Sequence, residues 1–281
     1  MKKVILTLCL CIAIILPYHT SAQAIYQDND MPLDLVINDT YVSPSLPLIE
    51  YQGTVFISAR SLCELFGTTE FFWDEDEATL TVHYGGKEAI VTEHECAYTV
   101  EGIQYMFAQP AVTVDGRMYV PIRFAQSLFG ATVEWDEQNY NVVLRVSNYT
   151  VPAQYKNPYY QAEEILWLSR IVYAESRGES DAGKLAVANV ILNRVRSPQF
   201  PNTILEVIFD RKFGVQYTPT INGAIYNTPN RASIMAAKRA LHGQNNIGAS
   251  LYFFNPRIAS TNWIARNRTY YATIGNHAFY L

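Results

Sequence analysis

The chain has 281 residues, of which 49% are hydrophobic, 17% charged and 13% aromatic, a normal globular composition with room for two domains. Residues 23–159 carry 6 Lys/Arg against 19 Asp/Glu, a net charge of −13, whereas residues 160–281 carry 13 against 7, a net charge of +6. An acidic first half and a basic second half argue against one uniform domain and indicate two domains with different partners.

The N-terminus has the pattern of a secretory signal peptide. Lys2 and Lys3 precede an apolar run over residues 4–16, and small residues follow up to Ala22. The 13-residue run is shorter than the roughly 20 residues that span a bilayer, so no stable membrane span is expected. We predict a signal peptide over 1–22 and a secreted protein. Export disfavours a nucleic-acid partner and leaves anionic wall polymer as the natural contact of a basic module.

Removal of the signal peptide leaves two cysteines, Cys63 and Cys96, whose pairing the sequence leaves open. No CxxC motif or His/Cys cluster occurs, so neither a metal site nor a cofactor is expected.

Residues 34–146 contain a duplication. The segment "GTVFISARSLCELFG" begins at Gly53 and "GRMYVPIRFAQSLFG" at Gly116, an offset of 63, and each is followed by a Trp-Asp pair. Each copy has the pattern of a strand, a short helix ending near its "LFG" glycine, and two strands joined by a turn. We interpret Arg60, Arg123 and the Trp-Asp pairs as structural residues that fix turns and pack helix on sheet.

The duplicated segment resembles the copper amine oxidase N-terminal domain, a small α+β stalk module of exported bacterial wall proteins. The resemblance implies attachment to cell wall polymers or to a protein partner, and it does not imply copper or catalysis. Residues 147–161 are rich in Pro, Tyr and Asn and are interpreted as a linker.

Residues 162–281 have helical periodicity followed by aromatic, β-branched segments. We expect a helix from Ala162 to about Arg177 and a second capped by Ser180 or Asp181. A short helix is expected after Thr203, and another with Pro229 in its first turn. The sequence predicts an α+β protein with a mainly helical second domain and a small sheet.

Two glutamates, Glu175 and Glu179, stand four apart in "AESRGE". A catalytic acid needs an apolar environment that keeps it protonated near neutral pH, and the apolar helix before Glu175 supplies one. Glu179 lies beyond Gly178, where we expect a wetter environment. From spacing alone, a structural glutamate paired with Arg170 or Arg177 remains the alternative.

The ordered motifs "LSRIVYAESRGE", "GKLAVANVILNRV", "YFFNP" and "IGNHAFY" resemble the cell wall hydrolases of the spore-cortex-lytic type over about 164–281. The resemblance implies a fold similar to lysozyme-like lytic transglycosylases, acting on peptidoglycan glycan strands in the cell wall or spore envelope during wall remodelling or germination. It makes Glu175 the general acid and Glu179 a supporting residue. Other positions that match the family are Asn193, Arg194, Asn255, Pro256, Asn276, His277 and Phe279.

Candidate substrate contacts are Asn255 and His277, with turn formation and a structural histidine as their alternatives. Candidate sugar-stacking residues are Trp263, Tyr226, Tyr252 and Phe253, with core packing as the alternative for the last two. The implied transglycosylation needs one carboxyl group, whereas hydrolysis usually needs a second. A hydrolytic muramidase remains open through Glu179, and a non-catalytic wall-binding scaffold is the other alternative. A metal-dependent amidase is disfavoured because His242 and His277 are the only histidines after residue 94.

Overall fold

A computed structural model describes residues 33–212, 214–259 and 262–281. The predicted signal peptide at 1–22 lies outside these ranges. Within them, no helix combines the length and the apolar character needed to cross a membrane.

The N-terminal part is a β-rich assembly of three sheets with two short helices. A central sheet has the order β10-β11-β4-β3, a second has the order β12-β13-β1-β2, and a five-stranded antiparallel sheet runs from β5 to β9. The strands are β1 Asp34–Ile37, β2 Thr40–Val42, β3 Ile49–Tyr51, β4 Thr54–Ser58, β5 Phe71–Asp74, β6 Thr79–Tyr84, β7 Lys87–Thr92, β8 Ala97–Val100, β9 Ile103–Met106, β10 Val112–Val114, β11 Arg117–Pro121, β12 Thr132–Asp136 and β13 Asn141–Arg145, and the helices are α1 Ala59–Leu65 and α2 Phe124–Phe129.

In the structure, a local pseudo-twofold axis relates the two copies of the duplicated segment. Both copies have the order strand, helix, strand, strand, namely β4-α1-β5-β6 and β11-α2-β12-β13. Strands β4 and β11 pair antiparallel in a register that places Ile57 opposite Val120, its own equivalent 63 residues later. The axis therefore passes between these two residues. The copies differ beyond it, because β6 continues into the antiparallel strand β7 whereas β13 pairs parallel with β1.

The tryptophan and the aspartate of the repeated Trp-Asp pairs have different roles. Asp74 Oδ1 accepts from the backbone N–H groups of Asp76 and Glu77, at 3.0 and 3.1 Å, so this aspartate fixes its turn as interpreted. The tryptophans were interpreted as packing residues between helix and sheet. They are only partly buried, since Trp73 and Trp135 keep 38% and 42% of their surface exposed. Each stands on an edge strand, where no neighbouring strand covers it.

The two cysteines are free thiols. Cys63 is fully buried in α1, and burial raises the pKa of its thiol to about 12.

The C-terminal part is a helical cluster with a three-stranded antiparallel sheet. Its elements are α3 Ala162–Ser176, α4 Asp181–Arg196, α5 Ile204–Phe209, α6 Pro219–Asn222, α7 Arg231–Leu241, α8 Trp263–Asn267, β14 Tyr252–Phe254, β15 Tyr270–Ile274 and β16 His277–Tyr280. Helices α3, α4 and α7 pack around a core that includes Leu168, Ile191 and Ala237. The α+β class with a mainly helical second domain is confirmed.

Side-chain caps set the helix starts. The Ser180 hydroxyl accepts from the Gly183 N–H at the start of α4, as the sequence predicts. The expectation that Pro229 lies in the first turn of α7 is wrong. Asn230 Oδ1 accepts from the Ser233 N–H at 3.0 Å, so Asn230 is the cap and Pro229 precedes the helix.

A buried ionic cluster joins the two parts. Lys238 of α7 has a fully buried side chain and lies 2.9 Å from Asp34 Oδ2 of β1. The same ammonium group donates to Asn139 O at 2.7 Å, and Tyr160 OH donates to Asp34 Oδ1 at 2.8 Å. Burial raises the pKa of Asp34, but hydrogen bonding to His242 and the Lys238 charge outweigh it and hold that pKa below its usual value. Asp34 is therefore ionised in the folded protein.

The segment interpreted as a linker is ordered. Its Val151 and Tyr160 are buried, and Ser43 N–H donates to Tyr155 O at 2.9 Å, which ties the segment to the N-terminal part.

Candidate active site

Glu175 lies in the last turn of α3, one residue before the helix ends. The turns below it bury Leu168, Ile171 and Val172, and Glu175 itself is only partly exposed. Burial raises the pKa of Glu175 from 4.5 to about 7. Within the described residues no basic side chain pairs with it, so the structural alternative of an ion pair with Arg170 or Arg177 does not apply.

The carboxyl group faces an open cleft of about 1180 Å³. The cleft lies between the end of α3, the β14 segment, α8 and the first residue of β16. Among the described residues that line it, Glu175 is the one carboxylate, whereas basic groups come from Arg194, Lys212 and Arg268. Its aromatic walls are formed by Phe200, Tyr217, Tyr252, Phe253, Phe254 and Trp263.

His277 reaches the same cleft from the start of β16. Only 8% of its surface is exposed, and burial lowers its pKa, so the neutral ring is favoured. The ring stands edge-on to Phe253 at 5.2 Å, and its Nδ1 has no hydrogen-bond partner within the described residues. A buried polar nitrogen without a partner costs free energy unless a ligand satisfies it.

Glu179 lies outside the cleft that Glu175 faces, and it hydrogen-bonds to the turn of the β15–β16 hairpin, which carries His277. Its two carboxylate oxygens accept from Asn276 Nδ2 at 2.8 Å and from Asn276 N–H at 3.1 Å. These hydrogen bonds hold the pKa of Glu179 below its usual value. The fit against the turn is tight, because a Cβ on Gly275 would lie 2.1 Å from Glu179 Oε2. Glu179 thus clamps the β15–β16 turn and is not among the residues that line the cleft.

Two further predicted residues line the cleft and one does not. Trp263 at the start of α8 is 51% exposed, with the Arg268 guanidinium 5.2 Å from its ring centre. Asn255 also lines the cleft, and its Oδ1 accepts from Arg257 N–H at 3.0 Å, which is the turn-forming role. Tyr226 lies outside the cleft, where its ring packs edge-on to Trp167.

Asn193 and Arg194 of α4 hold the backbone that leads into β14 by hydrogen bonds. Asn193 Nδ2 donates to Gly248 O and Ser250 O, and Arg194 Nε donates to Leu251 O at 2.8 Å. The Arg194 guanidinium also lies 5.3 Å from the ring centre of Tyr217. These contacts join α4 to the strand that carries the aromatic wall.

Tyr217 is the main residue that the sequence did not reveal. Its side chain is buried, with a hydroxyl that has no hydrogen-bond partner within the described residues. Burial outweighs the Arg194 charge, which lowers its pKa, and together with the nearby Glu175 charge it raises that pKa to about 12. It stands in "FGVQY", which has no periodicity or motif, so only its buried, unpartnered hydroxyl beside Glu175 identifies it.

Comparisons with known proteins agree with this architecture. The cell wall hydrolase family model matches residues 178–280, and the copper amine oxidase N-terminal domain model matches residues 36–144. The cell wall hydrolase CwlJ of Oceanobacillus iheyensis is 33% identical over 99 residues, which are 33% of this chain and 69% of that protein. The chain therefore belongs to the cell wall hydrolase family.

A spore cortex-lytic enzyme of Bacillus cereus is 42% identical over 120 residues, which are 43% of this chain and 45% of that protein. The chain thus spans less than half the length of this relative. A solved structure of the catalytic domain of the germination-specific lytic transglycosylase SleB from Bacillus anthracis is 41% identical, covering 44% of this chain and 99% of that one, with a TM-score of 0.41.

In the described part of the chain, no three His, Cys, Asp or Glu side chains come together in a group that could hold a metal ion.

Proposed function

We propose that this protein is an exported enzyme that cleaves peptidoglycan glycan strands at N-acetylmuramic acid, as a lytic transglycosylase. The observation that carries the proposal is a single carboxyl group, Glu175, with a pKa of about 7 in an open cleft that holds no second acid among its described residues. Its relatives include spore cortex-lytic enzymes, which agrees with a substrate in the cell wall or spore envelope.

In the first step, protonated Glu175 gives its proton to the oxygen that leaves from C1 of the muramic acid. The C1–O bond breaks, and positive charge develops on the sugar ring. A pKa near 7 suits this task because the acid is protonated when substrate binds and still gives up its proton readily.

In the second step, the Glu175 carboxylate takes the proton of the sugar's own 6-hydroxyl, and that oxygen bonds to C1. The products are a 1,6-anhydro sugar and a strand with a new free end, with no water consumed. Ordinary hydrolysis uses a second carboxylate to activate water or to act as nucleophile. Glu179 does not serve that role in this proposal, because both of its oxygens are engaged by Asn276.

The other cleft residues bind and orient the sugars. His277 Nδ1 and the Tyr217 hydroxyl are buried groups that a sugar hydroxyl or acetamido group can satisfy, and Trp263 offers an exposed ring face. Asn255 shares the rim of the cleft. Tyr226 is a candidate for contact with a strand that extends beyond the cleft.

The proposal includes the organisation inferred from the sequence. A signal peptide at 1–22 is followed by a stalk domain at 34–146, a connecting segment at 147–161 and the hydrolase domain at 162–281. The stalk domain contacts wall polymer or a protein partner.

Digestion of purified sacculi, with mass spectrometry of the soluble fragments, tests the activity. We expect 1,6-anhydro muropeptides from the wild type and from Glu163→Gln, an exposed glutamate of the same helix, but none from Glu175→Gln. Fragments with reducing-end muramic acid would assign a muramidase instead. Binding to sacculi without soluble products would assign a non-catalytic scaffold, and loss of activity with a chelator would favour a metal-dependent amidase.

A further inference from the structure

The pseudo-twofold axis of the stalk domain generates two equivalent grooves, of about 780 and 670 Å³. The first lies between the Gly53 turn and α2, and the second between the Gly116 turn and α1. Each groove therefore takes its glycine turn from one copy of the duplication and its helix from the other. Both volumes lie within the range of about 300–1,000 Å³ that is usual for ligand pockets.

The two grooves share a set of equivalent lining residues, and the first groove has in addition a wall from β8 and β9 that includes Tyr98 and Tyr105. The first contains Arg123 and Trp135, and the second contains Arg60 and Trp73, which occupy the same positions in the other copy. Arg60 is the second residue of α1, Arg123 directly precedes α2, and both tryptophans stand on edge strands. An exposed indole and an exposed arginine therefore line each groove, and in the second groove the Arg60 guanidinium lies 4.4 Å from the ring centre of Phe71.

The tryptophans are more exposed than core packing requires. Trp73 of β5 lies directly opposite Leu80 of β6, so both side chains are on the same face of the sheet. Leu80 is buried there, yet 38% of the Trp73 surface remains exposed. In the other copy, Trp135 is 42% exposed and its Nε1 donates to Glu137 Oε2 at 2.7 Å, which fixes the ring at the rim. Single exposed apolar side chains are common on this protein, so the exposure of these two rings matters because each lines a groove at an equivalent position of the duplication.

Charge decides what kind of ligand these grooves fit. Arg123 of the first groove is balanced by Glu134. The two basic groups of the second groove, Arg60 and Arg117, are likewise matched by two acids, Glu93 and Asp115. A balanced set of planar donors and acceptors suits an uncharged ligand with many hydrogen-bonding groups, and the indole face suits one with an apolar face. Sugar rings have both properties.

We propose that the two grooves are a matched pair of binding sites for uncharged sugar units of a glycan chain. The inference rests on the proposed function only for the identity of that chain, the peptidoglycan strand. Two sites on one domain hold a polymer more tightly than either alone, because engagement of the second site is intramolecular. The stalk domain then keeps the catalytic cleft on the wall between cleavage events.

Sedimentation with sacculi freed of teichoic acid tests the proposal, with the full chain carrying Glu175→Gln in every sample so that the polymer stays intact. We expect Trp73→Ala and Trp135→Ala each to weaken binding by about tenfold, and the double variant to weaken it by at least the product of the two. Arg60→Gln and Arg123→Gln leave the rings in place and are expected to give smaller losses in the same direction.

Phe72→Ala is the matched control, because Phe72 is 64% exposed on the same strand as Trp73 but outside the groove. It should bind as the parent does, and the melting temperature of each variant identifies any that is unfolded. Unchanged binding by the double tryptophan variant would overturn the proposal, as would an equal loss in the Phe72 control. Binding that appears only when teichoic acid is left on the wall would assign the grooves to that anionic polymer instead. Absence of anhydro products from wild-type digests refutes the proposed catalysis and leaves this binding result intact.

Discussion

Replacing Glu175 by Gln removes an ionisable group that the fold keeps protonated up to a pH of about 7. Below pH 4.5 both folded and unfolded chains hold the proton, and the carboxyl group has no pH-dependent effect on stability. Between 4.5 and about 7 the unfolded chain ionises first, so stability falls as the pH rises. A difference of about 2.5 pH units, at about 1.36 kcal/mol each, makes the carboxylate cost the folded state about 3 kcal/mol at pH 8.

We therefore expect Glu175→Gln to be inactive on sacculi yet more stable than the wild type at pH 8, by up to about 3 kcal/mol, with the gain disappearing near pH 4.5. Urea unfolding followed by tryptophan fluorescence at pH 4.5, 6 and 8 measures the difference. Glu179→Gln is the control of opposite sign, because the Asn276 hydrogen bonds lower the pKa of Glu179 and their loss destabilises the protein at pH 8. A gain that is the same at all three pH values, or a loss at pH 8, would refute the assignment of Glu175 as a desolvated acid.

Three further outcomes are expected. The kcat/KM on sacculi should fall as the pH rises through about 7, since the acid form of Glu175 starts the reaction; a profile flat from pH 5 to 9 would contradict this. Tyr217→Phe keeps the ring beneath Arg194 but removes the unpartnered hydroxyl, so kcat/KM should drop about 3- to 10-fold while the free energy of unfolding is unchanged or raised. Full activity would show that the hydroxyl touches no substrate. Lys238→Met leaves the Asp34 carboxylate buried without its lysine partner and should lower the free energy of unfolding by about 3–5 kcal/mol in urea titrations. Arg231→Met, whose partner Glu137 is exposed, is the control and should lower it by about 0–1 kcal/mol. Equal losses would argue against the buried pair as the main link between the two parts of the chain.

Much of the secondary structure followed from local chemistry. Helix α4 begins where Ser180 supplies its cap, and α3 ends just before Arg177-Gly178, because caps and glycines act within a few residues of the helix end. The exception is α7, where Asn230 displaced the expected start near Pro229. The Asn230 side chain caps the Ser233 N–H, so the helix begins at Arg231, after the proline.

The difference between the two glutamates was visible in part. The apolar turns before Glu175 predict a desolvated carboxyl group, and burial does raise the pKa of that group. The role of Glu179 was not visible, because its partner Asn276 lies 97 residues away. The same is true of Tyr217, whose position beside Glu175 depends on how a segment without periodicity folds over the cleft.

The sequence by itself determined the duplication and the change of charge and periodicity between the two parts of the chain, since these depend on spacing and composition. Glu175 was predicted as the acid through the resemblance of its ordered motifs to a known family, because spacing alone left a structural glutamate as the alternative. Tertiary structure alone decided that Ile57 meets its own equivalent Val120 across a pseudo-twofold axis, which turned one repeated motif into two grooves. It also decided that Lys238 and Asp34, 204 positions apart in the printed sequence, share one buried ion pair. Contacts of this kind depend on how whole elements pack, and no short stretch of sequence contains them.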